Sequence, residues 1–201
     1  MIPPYLQYDS GIVVTTRRQS LELTLDALGL TNVPLIRMHQ THSATIGVVD
    51  TPIPPGTTWL DNTDAIVSNQ PGVLAIKTAD CLPVIISHPS GWTAAIHAGR
   101  RGTESGITQK AAEMIANRAG TTDGFSAWLG PRICVNCYQI DPVTDLHFDL
   151  VHRNRTQLFT VFGSALTIDD CGHCTACRND LFFSYRKEAT SERIFSIKIP
   201  T

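Results

Sequence analysis

Charge is scarce in this sequence, and neither sign dominates. Of 201 residues, 17% are charged, and 16 basic residues against 18 acidic ones leave a formal net charge of −2. A nucleic-acid surface needs a concentrated basic footprint. Arg100–Arg101 and Arg153/Arg155 are only local pairs, so no nucleic-acid partner is expected. Long apolar runs are missing too, and none approaches the roughly 20 residues that span a bilayer. The opening stretch MIPPYLQYDSGIVVTTRRQS has no basic region followed by an apolar one, the pattern of a signal peptide. The expectation is a soluble, cytoplasmic protein without a membrane partner. There is no internal repeat and no low-complexity tract. With 42% hydrophobic residues, residues 1–201 are read as a single domain that buries a core without staples.

What the sequence does have is unevenly placed cysteine. Cys134, Cys137, Cys171, Cys174 and Cys177 fall in two CxxC-type clusters, and Cys81 stands apart. In a reducing compartment such thiols point to metal binding or catalysis rather than to disulfides. Cys171, Cys174 and Cys177 are spaced like a ligand run, with His173 and the Cys134/Cys137 pair available. They make a second zinc or an iron–sulfur cluster conceivable, although loose thiols are the more frequent outcome.

Helix formers before Gly29 predict a helix over 18–29. Residues 33–42 and 44–50 read as strands, 51–63 as a Pro/Gly loop, and 64–69 as a strand. Ile76 to Ser87 reads as a buried strand interrupted by Asp80 and Cys81, and the HPSG turn then makes a hairpin with WTAAIHAG. Residues 104–120 have helical spacing, with Gly120 as the C-cap. Phe125 to Pro131 reads as a strand, 141–154 as an outer helix, and 181–199 as a short helix followed by a strand over Ile194–Ile199. Helices alternating with both crossovers and hairpins indicate a mixed-sheet α/β or α+β domain.

Three chemically capable groups end apolar runs: His42, Cys81 and His97. One thiolate and two imidazoles suit a zinc ion with its fourth position open to water or substrate. The same trio is compatible with a Cys–His hydrolase in which Cys81 is the nucleophile and His97 the base. Asp80 is open to three roles: orienting a histidine, carrying a proton, or capping a turn. The spacing from His42 to Cys81 matches no compact zinc signature, and a buried Cys or His in an apolar run is often just core. In HAGRRGTESG, the N-terminus of the following helix together with Arg100 and Arg101 offers an anion seat. The plain alternative is that Thr103 or Ser105 caps that helix and the arginines face water.

The segments QTHS (40–43), DAIV (64–67), TADCLPV (78–84), AIHAGRRGT (95–103), LGPRICVNCYQI (129–140) and LFFSYRKE (181–188) occur in this order. Together they resemble the YfiH-like family, long labelled multicopper polyphenol oxidase or laccase-domain proteins. The resemblance covers roughly residues 35–195. It implies stacked mixed β-sheets flanked by helices, akin to the catalytic domain of the cytotoxic necrotising factors. It also implies a zinc-dependent purine nucleoside phosphorylase that cleaves adenosine, inosine or methylthioadenosine with phosphate and has adenosine deaminase activity. The metal ligands it implies are His42, Cys81 and His97. Cys81, Asp80 and His97 are then the catalytic set, and Gln40, Arg100 and Arg101 the contacts to substrate or phosphate.

Arg100 departs from the family's tryptophan, and Gln139 from its glutamate. The alternatives carried forward are a copper-dependent phenol oxidase and a cysteine hydrolase of an amide or amino-acid conjugate. Seven histidines with little clustering speak against several copper centres.

Overall fold

The computed structural model describes residues 3–200. In chain order the strands and helices are β1 (Tyr5–Tyr8), β2 (Ile12–Thr15), α1 (Leu21–Ala27), β3 (Leu35–Met38), β4 (Ile46–Val49), β5 (Thr57–Leu60), β6 (Ala65–Ser68), β7 (Val73–Thr78), β8 (Leu82–Ser87) and β9 (Thr93–Ala98). There follow α2 (Arg100–Glu104), α3 (Ile107–Ala119), β10 (Ser126–Leu129), β11 (Gln139–Asp141), β12 (Leu146–His147), α4 (Leu150–Phe162), β13 (Thr167–Asp170), α5 (Tyr185–Glu188) and β14 (Ile194–Lys198). Two six-stranded sheets are ordered β1-β2-β14-β7-β3-β5 and β13-β10-β8-β9-β6-β4, and β11 and β12 form a separate ribbon. Each large sheet mixes parallel and antiparallel pairs; β3 is parallel to β5 and β7, whereas β8 and β9 are antiparallel.

The two sheets lie face to face because their strands are apolar on both sides. Ile36, Ile76 and Ile194 of the first sheet pack against Ile66, Ile85 and Trp128 of the second. The opposite face of the second sheet, with Val84, Ile86 and Ile96, is covered by Ile107, Ala111 and Ile115 of α3 and Leu158 of α4. Leu21 and Leu25 of α1 cover Val13, Val73 and Ile197 on the outer face of the first sheet. Burial on both faces explains the near-continuous apolar runs of β7, β8 and β9. The mixed stack flanked by helices is the architecture expected from the sequence.

Several elements differ from expectation. The stretch around Asp80 and Cys81 is not one interrupted strand. β7 belongs to the first sheet and β8 to the second, so Ala79–Cys81 is the step between layers. The Pro/Gly segment holds an edge strand, β5, whose residues alternate between exposed and half-buried. The outer helix starts later than expected. The Asp149 side chain caps α4 by accepting from the His152 N–H, whereas Gln139–His147 folds into the β11–β12 ribbon. Strands β1, β2 and β13 were not foreseen. Among the described residues, no helix is long and apolar enough to cross a membrane.

Candidate metal centre and active-site cleft

The β8–β9 hairpin brings Cys81 and His97 together. Leu82 pairs with Ala98 and Pro83 with His97, so Cys81, just before β8, arrives beside the end of β9. The loop after β3 delivers His42 from the first sheet, with a left-handed φ of 60°. The ligand atoms of His42, Cys81 and His97 lie within 4.8 Å of one another, and the two imidazole rings meet edge to face at 4.8 Å. Gly99 makes this approach possible, since a Cβ there would lie 3.0 Å from His42 Cδ2 and 3.1 Å from Cys81 Sγ. At Gly102 a Cβ would come within 2.7 Å of the Ser43 carbonyl oxygen. The two glycines of HAGRRG thus clear space for the QTHS loop.

The residue that organises the centre is Asp64, which the sequence reading left without a role. It is fully buried. Its carboxylate accepts hydrogen bonds from the backbone N–H groups of Thr41, His42 and Ser43 at 3.1, 3.1 and 2.7 Å. It also accepts from the Ser43 hydroxyl and lies 2.8 Å from His97 Nδ1. Burial alone would raise its pKa, but the bonds from His97 and Ser43 outweigh burial and hold it well below the usual carboxylate range. An ionised carboxylate only accepts, so Nδ1 of His97 carries the proton and Nε2 is left for Cys81 or a metal. The sequence signal was present: Asp64 is a lone carboxylate opening the wholly buried strand Ala65–Ser68.

Cys81 and His97 shift each other's charge. Burial pushes the Cys81 thiol up, but the neighbouring His97 and His42 more than offset this and bring it down to about 6. Burial disfavours a charged His97, yet Cys81 and Asp64 raise it to about 9. A thiolate-prone sulfur, two imidazoles at contact distance and a carboxylate behind one of them form a donor set that fits zinc. The structure therefore brings together all three sequence-predicted ligands.

The trio opens into a cleft of about 780 Å³. Five cationic residues line it: Lys77, Arg100, Arg101, Arg186 and Arg193; Tyr138 and Tyr185 add aromatic faces, and the Arg186 guanidinium lies 5.5 Å from the Tyr138 ring. The anion seat differs from expectation. Arg100 and Arg101 belong to the short helix α2, not to the loop before a long one. The long helix α3 starts at Ile107 behind Gly106, whose φ is 76°, and neither Thr103 nor Ser105 caps it. The residues that open α3 are not among those lining the cleft.

Gln40, expected as a substrate contact, and Asp80, expected in the catalytic set, are both engaged in the fold's own hydrogen bonds. The Gln40 amide donates to the Lys77 carbonyl at 2.8 Å and accepts from the Lys77 N–H at 2.9 Å. Asp80 has a left-handed φ of 87°, a conformation that costs a non-glycine residue roughly 1–2 kcal/mol. Its carboxylate compensates by accepting from Thr175 Oγ1 at 2.7 Å and the Arg186 N–H at 2.6 Å. The carboxylate that orients a histidine is Asp64.

Comparison with known proteins places the chain. The family model described as multi-copper polyphenol oxidoreductase laccase matches residues 7–147 and 142–198. The chain belongs to this family. Within it, the chain is 29% identical over 208 residues to a protein named adenosine deaminase from an unknown prokaryotic organism, covering 89% of this chain and 78% of that one. It is 36% identical over 134 residues to a protein of Streptomyces coelicolor named purine nucleoside phosphorylase, covering 66% and 53%. It is 31% identical over 153 residues to the YfiH protein of Shigella flexneri, also named purine nucleoside phosphorylase, covering 66% and 62%. The chain thus spans about half the length of the Streptomyces relative. The crystal structure of the YfiH protein of Bacillus licheniformis shares the fold with a TM-score of 0.81 at 22% identity, covering 98% of this chain and 99% of that one.

The family's description implies several coppers, and the donors here do not fit them. Among the described residues, the groups able to hold a metal are His42/Cys81/His97 and a set of four cysteines. The other histidines are dispersed: His39 pairs with Asp61, His88 with Ser90, and His147 with the Val135 carbonyl.

Proposed function

We propose that the chain is a zinc-dependent purine nucleoside phosphorylase working at the His42–Cys81–His97 centre. The observation that carries this reading is the convergence of a zinc-type donor trio with five cationic side chains and two tyrosines on one cleft. Phosphate is the small anion that such a lining suits, and a tyrosine face suits a purine ring. Relatives named for purine nucleoside phosphorolysis and adenosine deamination support the substrate class.

In the reaction, an oxygen of hydrogen phosphate bonds to the anomeric carbon, the bond from that carbon to the base nitrogen breaks with its electron pair going to the base, and the base departs with the proton that the phosphate gives up. Arg100, Arg101 and Arg186 hold the phosphate and neutralise its charge so that it can approach. Tyr138, backed by Arg186, orients the base. Gln40 and Asp80 act by fixing the walls, Gln40 through the end of β7 and Asp80 through the Ala79–Cys81 step. Asp64 holds His97 with its proton on Nδ1. His42, Cys81 and His97 would hold a zinc ion, which would supply Lewis acidity beside the cleft. With zinc bound there, the same residues would also suit water activation for adenosine deamination.

A second reading rests on the depressed Cys81 thiol beside His97, the arrangement of a nucleophile and its base. Product analysis separates the two. Adenosine is incubated with and without phosphate, before and after chelation and zinc restoration. Phosphate-dependent adenine that vanishes on chelation and returns with zinc is the expected result. Inosine formed without phosphate adds the deaminase. No nucleoside turnover by folded, zinc-loaded protein would overturn the proposal and shift weight to a thiol hydrolase, recognised by activity that survives chelation but not thiol alkylation.

A further inference from the structure

Spacing along the chain groups Cys171, Cys174 and Cys177 as the second candidate cluster. The structure corrects this set. Cys171 packs with the core between the sheets, next to Tyr8. Instead, Cys134, Cys137, Cys174 and Cys177 converge, with all four sulfur atoms within 4.8 Å of one another. They come from two C-x-x-C segments on different loops, one after β10 and one after β13. A long-range parallel bridge joins Arg132 and Cys174. The Thr175 N–H bonds to the Arg132 carbonyl at 3.0 Å, and the Arg132 N–H to the His173 carbonyl at 3.2 Å.

We propose that these four cysteines bind a structural zinc ion that clasps the two loops and thereby fixes one wall of the cleft. The geometry favours a single tetrahedral ion. With a metal–sulfur bond of about 2.3 Å, a tetrahedron sets its sulfurs about 3.8 Å apart, and Cys137 Sγ lies 3.6 Å from Cys177 Sγ. An iron–sulfur cluster inserts several irons and sulfides among its cysteines and needs them further apart. The sulfur of Cys174 accepts the N–H groups of Cys134 at 3.2 Å and Cys177 at 3.5 Å, as metal-bound thiolates do. Ile133 and Ala176 seat the two loops on the core, but the thiols lie at the edge of that packing: Cys134, Cys137 and Cys174 are half-buried, Cys177 is exposed, and so is Val135 between Cys134 and Cys137, so apolar burial alone does not fix the sulfur positions.

The clasp reaches the cleft by two routes. Tyr138, directly after Cys137, lines it. Thr175, directly after Cys174, donates to Asp80, and the Ile133 N–H, just before Cys134, bonds to the Asp80 carbonyl at 2.9 Å. This role does not depend on which reaction the cleft performs.

The test uses Cys81→Ala protein of residues 1–201, in which the other centre is disabled. Elemental analysis is expected to find about one zinc per chain, falling to about zero when Cys137→Ser and Cys177→Ser are added. Cobalt exchanged into Cys81→Ala should give the intense sulfur-to-metal charge-transfer bands of an all-thiolate tetrahedral site, and X-ray absorption on the zinc form should show sulfur neighbours only. The spectroscopy needs no variant of the four cysteines, so misfolding of the serine variants leaves the proposal open to refutation. Metal-free Cys81→Ala protein with four free or disulfide-linked thiols would overturn it. So would a metal shell containing nitrogen, or bound iron with inorganic sulfide.

Discussion

The two thiol-bearing centres of this molecule are built in opposite ways. Cys81 and His97 stand at the ends of core strands, and His42 comes from the loop after β3. His97 and Asp64 are nearly or wholly buried, and the network around Asp64 sets the rings before any ion arrives. The thiols of the four-cysteine corner are exposed or half-buried on two loops, which are tied to the fold through the neighbouring Ile133 and Ala176 and backbone hydrogen bonds. A centre preorganised by the core can give up its metal and keep its shape, whereas thiols at the edge of the packing depend on the metal to stay together. The first arrangement suits chemistry, since it leaves a position facing the cleft; the second suits scaffolding.

The largest predicted effect tests the first half of this contrast. Cys81→Ala should cost activity more than the about 100-fold that losing an outer partner of a metal ligand can cost. Its unfolding temperature should change by no more than a few degrees, because the small Ala fits the β7–β8 step. Steady-state turnover and calorimetry on the same sample check this. A collapse in stability would show that the core does not preorganise the site.

Asp64→Asn should come next, with zinc affinity reduced by about 10- to 100-fold. The amide keeps the shape but offers N–H groups to a shell of N–H donors, so stability should also fall, by roughly 3–5 kcal/mol as for a broken buried ion pair. Competition with a chromophoric chelator and denaturant unfolding measure the two losses. Unchanged affinity would make Asp64 a folding residue alone.

The opposite signature is expected at the corner. Cys137→Ser/Cys177→Ser should lower the unfolding temperature by roughly 5–10 °C, corresponding to about 2–3 kcal/mol for a chain of this size. The His42–Cys81–His97 centre should still bind zinc. Thermal scans with parallel metal analysis test this, and loss of both ions together would erase the distinction between the centres.

The same contrast governs what the sequence could reveal. The β8–β9 hairpin and the helix ending at Gly120 were legible because their partners are neighbours in the chain. The convergence of His42, Cys81 and His97 was legible because each ends an apolar run, and the resemblance to a family then singled the trio out. Which sheet each strand joins was not legible, because residues 73–87 are apolar on both faces and periodicity cannot mark a change of layer. The edge strand Thr57–Leu60 was hidden behind its Pro/Gly flanks. Asp64 was visible as a motif residue but not as a ligand-orienting one, since its partners at 41–43 and 97 are brought together only by the fold. The choice of Cys134 and Cys137 over Cys171 depends on the Arg132–Cys174 bridge, a long-range pairing that cysteine spacing does not encode.

The smallest expected effect concerns Arg100, where the family resemblance would place tryptophan. Arg100 opens α2 on the rim of the cleft, and its guanidinium lies 3.8 Å from Glu104 with both side chains substantially exposed. A surface pair of this kind is worth at most about 1 kcal/mol, so Glu104 does not prevent Arg100 from turning towards an anion. A charge-assisted contact at a wet rim contributes near the lower end of its range, so Arg100→Ala should raise KM for phosphate by about 5- to 10-fold with kcat nearly unchanged. Arg100→Trp should lose the same phosphate affinity while adding an aromatic face, and its KM for the nucleoside should fall or hold. If both variants leave KM for phosphate unchanged, the anion is held by the other arginines of the cleft alone. If kcat falls with KM fixed, Arg100 acts on the transition state, and the rim is as much a part of the chemistry as the buried trio.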